Sequence, residues 1–251
     1  MKNGQVNRMN IEEDTLDNIL VTGVSTGLGR ALAHRYGITG YSVYGISRDQ
    51  SKVDGFINHI ECDIEKVNEI SLKLSSLLKT VKDIDTVFLN AGVLGEIEYL
   101  NKVGIDELER VFTINTWANK MILDYLITND IKVKQVVAIS SGASKHTYTG
   151  WGAYSISKAG LNMMMKVYAE ENPETHFLSL SPGPVNTSMQ DFINENIDGD
   201  KFEWKKKFTD MKENNTLPSA NSVAVDIYMV LPTLQKDIKS GSFVDLRKIR
   251  T

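Results

Sequence analysis

The sequence predicts an α/β fold in which a parallel sheet is covered by helices on both faces. Short apolar runs that suit buried strands alternate along the chain with segments whose apolar residues recur at helical spacing. Such alternation is typical of βαβ crossovers, which place strands side by side and in parallel. The 251 residues, of which 41% are hydrophobic and 24% charged, suffice for a single domain with a sizeable core.

Each predicted element follows from its own local pattern. The predicted strands are apolar runs that end at glycine or polar residues, at 19–22, 41–47, 86–89, 135–140, 176–180 and 242–245. The predicted helices have a repeating apolar face, at 28–36, 67–78, 105–127, 154–170 and 222–231. Residues 186–218 have the weakest pattern, and so long a loop in a compact domain predicts a lid.

The remaining composition limits the class of protein. Residues 1–18 predict a polar arm before a domain at 19–251, without the apolar core of a signal peptide or a membrane span. The single cysteine, Cys62, excludes an internal disulfide and a cysteine-rich zinc site. The net charge of −4 argues against broad nucleic-acid binding. We therefore expect a cytoplasmic protein with no metal and with no nucleic-acid or membrane partner.

A glycine-rich turn joins the first predicted strand to the first predicted helix. Its glycines, Gly23, Gly27 and Gly29, let the backbone turn tightly and approach a pyrophosphate closely. The helix N-terminus then offers free N–H groups to the phosphates. The turn lacks the Gly-Lys-Ser/Thr of a triphosphate loop, so it predicts a dinucleotide site, although similar turns occur without a ligand.

The end of the second strand indicates which dinucleotide is bound. An acidic residue there bonds the ribose 2′-OH of NAD(H), whereas an arginine accommodates the 2′-phosphate of NADP(H). The chain has Ser47, Arg48 and Asp49 at this point. We expect NADP(H) on Arg48, whose guanidinium matches phosphate geometry. NAD(H) on Asp49 and a solvated surface arginine are the alternatives.

Tyr154 and Lys158 lie four residues apart on a predicted helix, and therefore on one face. An ammonium beside a phenol lowers the pKa of the tyrosine, which then exchanges a proton with a carbonyl or an alcohol. A serine from the preceding strand end would orient the same carbonyl, and Ser140, Ser141 and Ser144 all qualify by chemistry alone.

These motifs, taken in order, resemble the short-chain dehydrogenase/reductase family from Ile19 to Leu246. The resemblance rests on the glycine turn, Asn90-Ala91-Gly92, Asn115, the serine, the Tyr154/Lys158 pair and Pro182-Gly183. It implies a Rossmann-like, doubly wound sheet of about seven parallel strands. It also implies a catalytic tetrad, in which Tyr154 is the acid/base and Ser141 polarises the carbonyl. Lys158 would bind the nicotinamide ribose and lower the Tyr154 pKa, and Asn115 would hold a relay water.

The resemblance also implies a set of cofactor contacts spread over several strand ends. They are Gly23, Ser25, Thr26, Gly27, Leu28, Gly29, Ser47, Arg48, Asp63, Ile64, Asn90, Ala91, Gly92, Tyr154, Lys158, Pro182, Gly183, Val185 and Thr187. Relatives that prefer NADP often have Arg or Lys where this chain has Thr26, so Arg48 has one fewer cation beside it.

Two segments narrow the resemblance further. Tyr148–Tyr154 and Ser181–Gln190 are similar to sepiapterin reductases and bacterial benzil reductases, which use NADPH to reduce a ketone beside a second carbonyl. Asp245 matches an aspartate that holds the pterin amino group, and a strand-end cap is the alternative. Trp151 and Met189 would line the substrate pocket or else belong to the core.

The expected function is therefore NADPH-dependent reduction of a small-molecule ketone of the dicarbonyl or pterin type. A reductase of 3-oxoacyl thioesters and a non-catalytic NADP-sensing protein are the alternatives. The family also implies a homodimer or homotetramer, with the helices at 105–127 and 154–171 as the candidate interface.

Overall fold

The structure is a computed structural model that describes residues 17–249, so the predicted arm lies almost wholly outside the described residues. Their strands are β1 (Asn18–Thr22), β2 (Ser42–Ser47), β3 (Asn58–Glu61), β4 (Asp83–Leu89), β5 (Lys132–Ile139), β6 (His176–Ser181) and β7 (Ser242–Asp245). All seven described strands form one parallel sheet in the order β3-β2-β1-β4-β5-β6-β7.

Helices cover both faces of this sheet. In residues 17–249 they are α1 (Gly27–Gly37), α2 (Val67–Leu77), α3 (Ile105–Phe112), α4 (Ala118–Thr128), α5 (Gly152–Glu171), α6 (Ser188–Asn196), α7 (Trp204–Glu213) and α8 (Ala220–Asp237). Helices α1 and α8 bury apolar residues against one face, and α2, α4 and α5 against the other. The predicted doubly wound parallel fold is therefore confirmed.

Successive residues of β1 supply both cores. Ile19 and Val21 lie in the core beneath α1 and α8, whereas Leu20 lies in the core beneath α2, α4 and α5. All three side chains are fully buried. Because strand residues point alternately to opposite faces, a strand covered on both sides is continuously apolar, which explains the run that predicts β1.

Three regions differ from the sequence prediction. Strand β3 is not predicted, because it lies at the sheet edge and its sequence is largely polar. Residues 186–218, predicted as a loop, contain α6 and α7, and each of these helices buries only one or two side chains. The helix predicted at 105–127 is divided into α3 and α4 by a π-helical turn at Thr113–Trp117.

The order of the strands reverses between β1 and β4. The chain proceeds outward from β1 through β2 to β3, and then outward from β4 through β5 and β6 to β7. The carboxyl ends of β1 and β4 therefore border a crevice, which is where doubly wound sheets bind their ligands.

Candidate active site

The carboxyl edge of the sheet carries a cavity of about 570 Å³, a volume typical of small-molecule sites. Residues that follow all seven described strands line it. The predicted cofactor contacts on its wall are Gly23, Ser25, Thr26, Gly27, Leu28, Ser47, Arg48, Asp63, Ile64, Asn90, Ala91, Gly92, Tyr154, Lys158, Pro182, Gly183, Val185 and Thr187. Gly29, the remaining predicted contact, lies behind this wall, against the turn itself.

The glycine turn after β1 is closed by backbone contacts that leave no room for side chains. Gly23 has a φ of +78°, and its N–H donates to the carbonyl of Ile46 at 2.7 Å. A Cβ atom on Gly29 would lie 2.3 Å from the Gly23 carbonyl oxygen and 2.4 Å from Asn90 Nδ2. Helix α1 begins at Gly27, on the cavity wall, so the free N–H groups of its first turn adjoin the cavity. This backbone cradle fits a pyrophosphate.

Thr22 and Asn90 join the ends of the two central strands. The Thr22 hydroxyl accepts hydrogen bonds from the backbone N–H groups of Asn90 and Ala91, each at 2.9 Å. Asn90 Nδ2 donates to the Thr22 carbonyl at 2.9 Å. These bonds join the ends of β1 and β4 at the cavity floor and fix the width of the crevice between them.

Arg48 and Asp49 have different surroundings at the end of β2. The Arg48 side chain is exposed and lines the cavity. The Asp49 carboxylate accepts from the Ser51 N–H at 3.0 Å and from its hydroxyl at 2.6 Å, and lies 3.2 Å from Lys52 Nζ. The hydrogen bond from Ser51 is the main reason that the pKa of Asp49 is lowered. Asp49 is therefore engaged in a local turn, and Arg48 is the residue presented to the cavity.

Helix α5 places Tyr154 and Lys158 on the cavity wall, one turn apart. Both are buried, and Lys158 Nζ lies 5.8 Å from the centre of the Tyr154 ring. The same Nζ donates to the Ile139 carbonyl at 2.8 Å, at the end of β5. Ser141 lies two residues beyond, where its hydroxyl accepts from the Ala143 N–H at 3.1 Å and is close enough to the Tyr154 phenol to lower the pKa of that group. Three members of the predicted tetrad thus share one wall.

The pKa of Tyr154 differs from the prediction. The sequence predicts that Lys158 lowers this pKa, whereas in the structure burial raises it, with the Ser141 hydrogen bond opposing that rise. Burial also lowers the pKa of Lys158 from 10.5 to about 8. Both shifts have one cause, because surroundings of low polarity disfavour the phenolate and the ammonium alike. At neutral pH the phenol keeps its proton and the ammonium is mostly charged.

Asn162 distinguishes the three candidate serines. Its Oδ1 accepts from the Ser140 hydroxyl at 2.6 Å, and its Nδ2 donates to Ser144 Oγ at 2.7 Å. The Ser144 hydroxyl in turn donates to the Ser141 carbonyl at 2.6 Å. Ser140 and Ser144 therefore use their hydroxyls to hold the loop, and Ser141 is the serine whose hydroxyl meets Tyr154.

Asn115 is buried behind the cavity wall, in the π-helical turn. Its Oδ1 accepts from the Val93 N–H at 2.8 Å, and its Nδ2 donates to the Val93 carbonyl at 2.9 Å and to the Ser157 hydroxyl at 3.0 Å. A Cβ atom on Gly92 would lie 2.9 Å from Asn115 Oδ1 and 3.4 Å from Lys158 Nζ. The amide thus fastens the segment after β4 to α5, while its role in holding a relay water stays a prediction.

Comparison with known proteins agrees with this arrangement. Residues 17–198 match the short chain dehydrogenase family. The chain belongs to this family. A benzil reductase ((S)-benzoin forming) from Bacillus subtilis is 30% identical over 243 residues, which cover 91% of this chain and 98% of that protein. Sepiapterin reductase from Bos taurus is 30% identical over 167 residues, which cover 62% of this chain and 59% of that protein.

A solved structure of a yeast protein has the same fold as this chain. A short chain dehydrogenase/reductase from Saccharomyces cerevisiae superposes with a TM-score of 0.82 at 26% identity, covering 92% of this chain and 96% of that one. The predicted resemblance to the family, and within it to benzil and sepiapterin reductases, is confirmed. The chain is therefore an oxidoreductase of the short chain dehydrogenase family, whose members use NAD(H) or NADP(H).

Aromatic side chains surround Tyr154 in this short chain dehydrogenase. Trp151 packs against Tyr154 with ring centres 5.6 Å apart, and against Phe208 with ring centres 5.9 Å apart. Trp204 packs edge-on against Trp151 at 5.1 Å. Trp151 and Met189, both predicted pocket residues, line the cavity together with Trp204 and Phe208. Trp204 and Phe208 are not among the predicted site residues, because α7 carries no motif that marks a site.

The structure departs from the prediction at Asp245. Its carboxylate accepts from the N–H, the Nε and the Nη2 of Arg247. Of the two residues, Arg247 lines the cavity and Asp245 does not. The carboxylate predicted to anchor the substrate is therefore already bonded to Arg247, and it is the arginine that lines the cavity. Arg247 is not among the predicted site residues, although the position of a basic residue just beyond a parallel strand is itself a signal.

Residues 17–249 contain no group of three His, Cys, Asp or Glu side chains placed to hold a metal ion. None of their helices combines the length and the apolar character needed to cross a membrane.

Proposed function

We propose that the chain is an NADPH-dependent reductase that converts one carbonyl group of a vicinal dicarbonyl compound into an alcohol. The observation that carries this proposal is the cavity wall that Ser141 shares with the buried residues Tyr154 and Lys158, beside an aromatic cluster. The Bacillus subtilis benzil reductase, 30% identical over 91% of this chain, supports the substrate class.

Tyr154 is the proton donor in this proposal. Because burial raises its pKa, the phenol is protonated at neutral pH and delivers its proton to the carbonyl oxygen as the alcohol forms. Ser141 hydrogen-bonds the same oxygen and fixes its orientation. Lys158, held by the Ile139 carbonyl, places its positive charge beside the phenol and stabilises the phenolate left behind. Bound NADPH supplies the hydride that the carbonyl carbon accepts.

The preference for NADPH rests on Arg48. This side chain adjoins the cavity at the end of β2, where the 2′-phosphate would lie, whereas the Asp49 carboxylate is occupied by Ser51 and Lys52. The glycine turn would hold the pyrophosphate, and Lys158 the nicotinamide ribose. The turn fits a pyrophosphate because its backbone is closely packed, so that a Cβ atom on Gly29 would lie 2.3 Å from the Gly23 carbonyl oxygen.

The aromatic cluster supports an apolar, aryl-bearing ketone as substrate. Trp151 packs against Tyr154, and Trp204 and Phe208 pack against Trp151 on the cavity wall. Stacked or edge-on aromatic contacts add to the free energy of burial. The pterin side-chain ketone is the second candidate, supported by the similarity to sepiapterin reductase.

The proposal is tested by following NADPH or NADH oxidation at 340 nm with benzil and with sepiapterin. We expect turnover with NADPH that is lost in Tyr154→Phe. Tyr168→Phe is the matched control, since it removes another buried phenol from α5, one that hydrogen-bonds Asp124 instead of adjoining the cavity. A wild-type protein that oxidises neither dinucleotide with either ketone, or a Tyr154→Phe variant of full activity, would contradict the proposal.

We also propose that the chain forms a homodimer or homotetramer through α3, α4 and α5. These helices and the turn between α3 and α4 expose large apolar side chains, between 45% and 66% accessible: Ile105, Trp117, Ile156, Met163 and Val167. Light scattering after size exclusion tests this. Trp117→Lys combined with Met163→Glu should lower the molar mass, whereas Leu72→Lys on α2 should leave it unchanged. A wild-type monomer would rule the proposal out.

A further inference from the structure

We infer that Arg247 binds the second carbonyl oxygen of the substrate and that Asp245 holds the arginine in place. The inference rests on the proposed function, because it names the residue that recognises what distinguishes a vicinal dicarbonyl from a simple ketone. The sequence predicts that Asp245, a hydrogen-bond acceptor, faces the substrate. In this inference Arg247, a hydrogen-bond donor, faces the substrate instead.

The backbone of Arg247 is fixed by the turn that follows β7. Leu246, the first residue of this 3₁₀ turn, is fully buried in the core beneath α1 and α8. The Asp245 carboxylate caps the turn by accepting from the Arg247 N–H at 3.1 Å. The side chain of Arg247 therefore starts from a point that is anchored on both sides.

The guanidinium is oriented by two further bonds to the same carboxylate. Nε donates to Asp245 Oδ1 at 2.9 Å, and Nη2 donates to Oδ2 at 2.5 Å. The Asp245 side chain is only 10% exposed, whereas that of Arg247 is 51% exposed. The acid is thus covered and the base is open. Of the five N–H donors of an arginine, three remain for a ligand, and within residues 17–249 the structure records no other acceptor for them.

The stem of Arg247 crosses Gly183 and leads toward the loop of the candidate catalytic serine. A Cβ atom on Gly183 would lie 2.8 Å from Arg247 Cδ, so a glycine is required there for the crossing. A Cβ atom on Gly142 would lie 3.9 Å from Arg247 Nη2. Gly142 directly follows Ser141, the residue proposed to hold the reacting carbonyl. The free donors of Arg247 therefore lie near the oxygen on the adjacent carbon of a vicinal dicarbonyl.

The charges favour a neutral oxygen acceptor. Asp245 already balances the charge of Arg247, so a ketone oxygen takes the free N–H groups without leaving an unpaired charge. The carboxylate of a 2-oxo acid has the same acceptor chemistry and brings an extra negative charge. An amino group would set donor against donor, which disfavours the anchoring of a pterin amine at this point.

The test compares two substrates that differ only in the second oxygen, 1-phenylpropane-1,2-dione and propiophenone. The measured quantity is the ratio of kcat/KM for the dione to kcat/KM for propiophenone. Arg247→Met keeps the stem and removes the donors, and we expect it to lower this ratio about tenfold, chiefly through KM for the dione. Lys248→Met is the control, because it removes an exposed cation of the same turn that is not on the cavity wall.

Calorimetry separates this inference from the proposed function. The affinity of the dione for the enzyme saturated with NADP⁺ should fall about tenfold in Arg247→Met. The affinity should also fall in Asp245→Asn. Wild type that reduces neither ketone would refute the proposed function, and the calorimetric comparison would still decide the role of Arg247. Equal dione affinity in wild type and Arg247→Met, or a parallel loss on both ketones, would overturn the inference. Tighter binding of phenylglyoxylate than of the dione would replace the neutral ligand with a 2-oxo acid.

Discussion

At the glycine-turn end of the cavity close backbone contacts decide which residues fit, whereas around Tyr154 the decisive contacts are hydrogen bonds made by side chains. The turn is closed by Gly23 and Gly29, whose backbones approach within a distance that excludes a Cβ atom. Around Tyr154 the chain relies on Lys158 and Asn162, which bond to partners 19 and 22 residues away in sequence.

The two ends also differ in what they contribute to stability. The glycine turn satisfies its polar groups through backbone bonds, such as that from the Gly23 N–H to the Ile46 carbonyl. The wall around Tyr154 buries an amine and a phenol. Burial lowers the pKa of the amine and raises that of the phenol, so it favours the neutral form of each group. We expect the glycine turn to serve both stability and cofactor binding, whereas around Tyr154 we expect reactivity to be gained at a cost in stability.

Lys158→Met gives the largest expected effect and separates stability from reactivity. Removing the ammonium should reduce turnover about 1000-fold. The depression of its pKa from 10.5 to about 8 corresponds to about 3 kcal/mol of destabilisation. Loss of the bond to the Ile139 carbonyl returns about 1 kcal/mol of this. The variant should therefore be more stable at pH 7, by about 2 kcal/mol in urea unfolding.

The pH dependence of that gain follows from the sign of the shift. The lowered pKa means that the unfolded chain binds the proton more tightly, so wild-type stability rises with pH between about 8 and 10.5. The advantage of Lys158→Met should be complete below pH 8 and decline above it. Lys166→Met, which alters an exposed lysine of α5, should show no such trend. A Lys158→Met variant less stable than wild type at pH 7 would break the contrast between the two ends.

Gly29→Ala tests the other end, where binding and stability should fall together. The added Cβ atom would lie 2.3 Å from the Gly23 carbonyl oxygen, so α1 has to move away from the turn. We expect NADPH affinity to fall about 100-fold and the unfolding free energy to fall by about 3 kcal/mol. Gly55→Ala is the control, because nothing lies within 4 Å of its Cβ position. Full NADPH affinity in Gly29→Ala by fluorescence titration would show that backbone closeness does not govern this end.

The same contrast explains how much the sequence predicts. Glycine spacing is a local property, and so are the apolar runs of β1 and β4, so the turn and the central strands are recognisable from their own residues. The Tyr154/Lys158 pair is also local, since one turn of helix relates its members. The choice among Ser140, Ser141 and Ser144 is not, because it depends on where Asn162 of another element lies.

Elements at the periphery are the least predictable. Strand β3 lies at the sheet edge, where burial does not impose an apolar pattern. Helix α7 buries Phe208 alone, so its apolar period is too weak to predict a helix. Arg247 is missed for another reason, because its role depends on the geometry of its bonds to Asp245, which no pattern of residue types contains.

Arg48→Leu has a moderate expected effect, confined to one cofactor. Loss of a charge-assisted bond to the 2′-phosphate should weaken NADPH binding about 20-fold and leave NADH binding unchanged. Asp49→Asn should change neither by more than about twofold, because its carboxylate bonds Ser51 within the turn. Fluorescence titration of both variants with both dinucleotides measures this. Weaker NADH binding in Asp49→Asn would favour the alternative in which Asp49 holds the ribose.

Asn162→Ala should have the smallest effect, and it tests whether the wall around Tyr154 depends on remote bonds. The variant removes the 2.6 Å acceptor of the buried Ser140 hydroxyl and the bond that Ser144 Oγ accepts from Asn162, which together should cost about 2 kcal/mol of unfolding free energy. The loop that carries Ser141 would then be held less firmly, so kcat should fall about fivefold while NADPH affinity is unchanged.

A matched variant separates positioning from general destabilisation. Asn172 caps the far end of α5, where its Nδ2 donates to the Tyr168 carbonyl at 3.0 Å, away from the cavity. Asn172→Ala should lose stability without losing kcat. If both variants lowered kcat equally at equal stability, Ser141 would owe its position to the fold as a whole. If only Asn162→Ala lowered kcat, the position of Ser141 would depend on the Asn162 amide, two turns beyond Tyr154. That amide bonds Ser140 and Ser144, the two serines that hold the loop of Ser141.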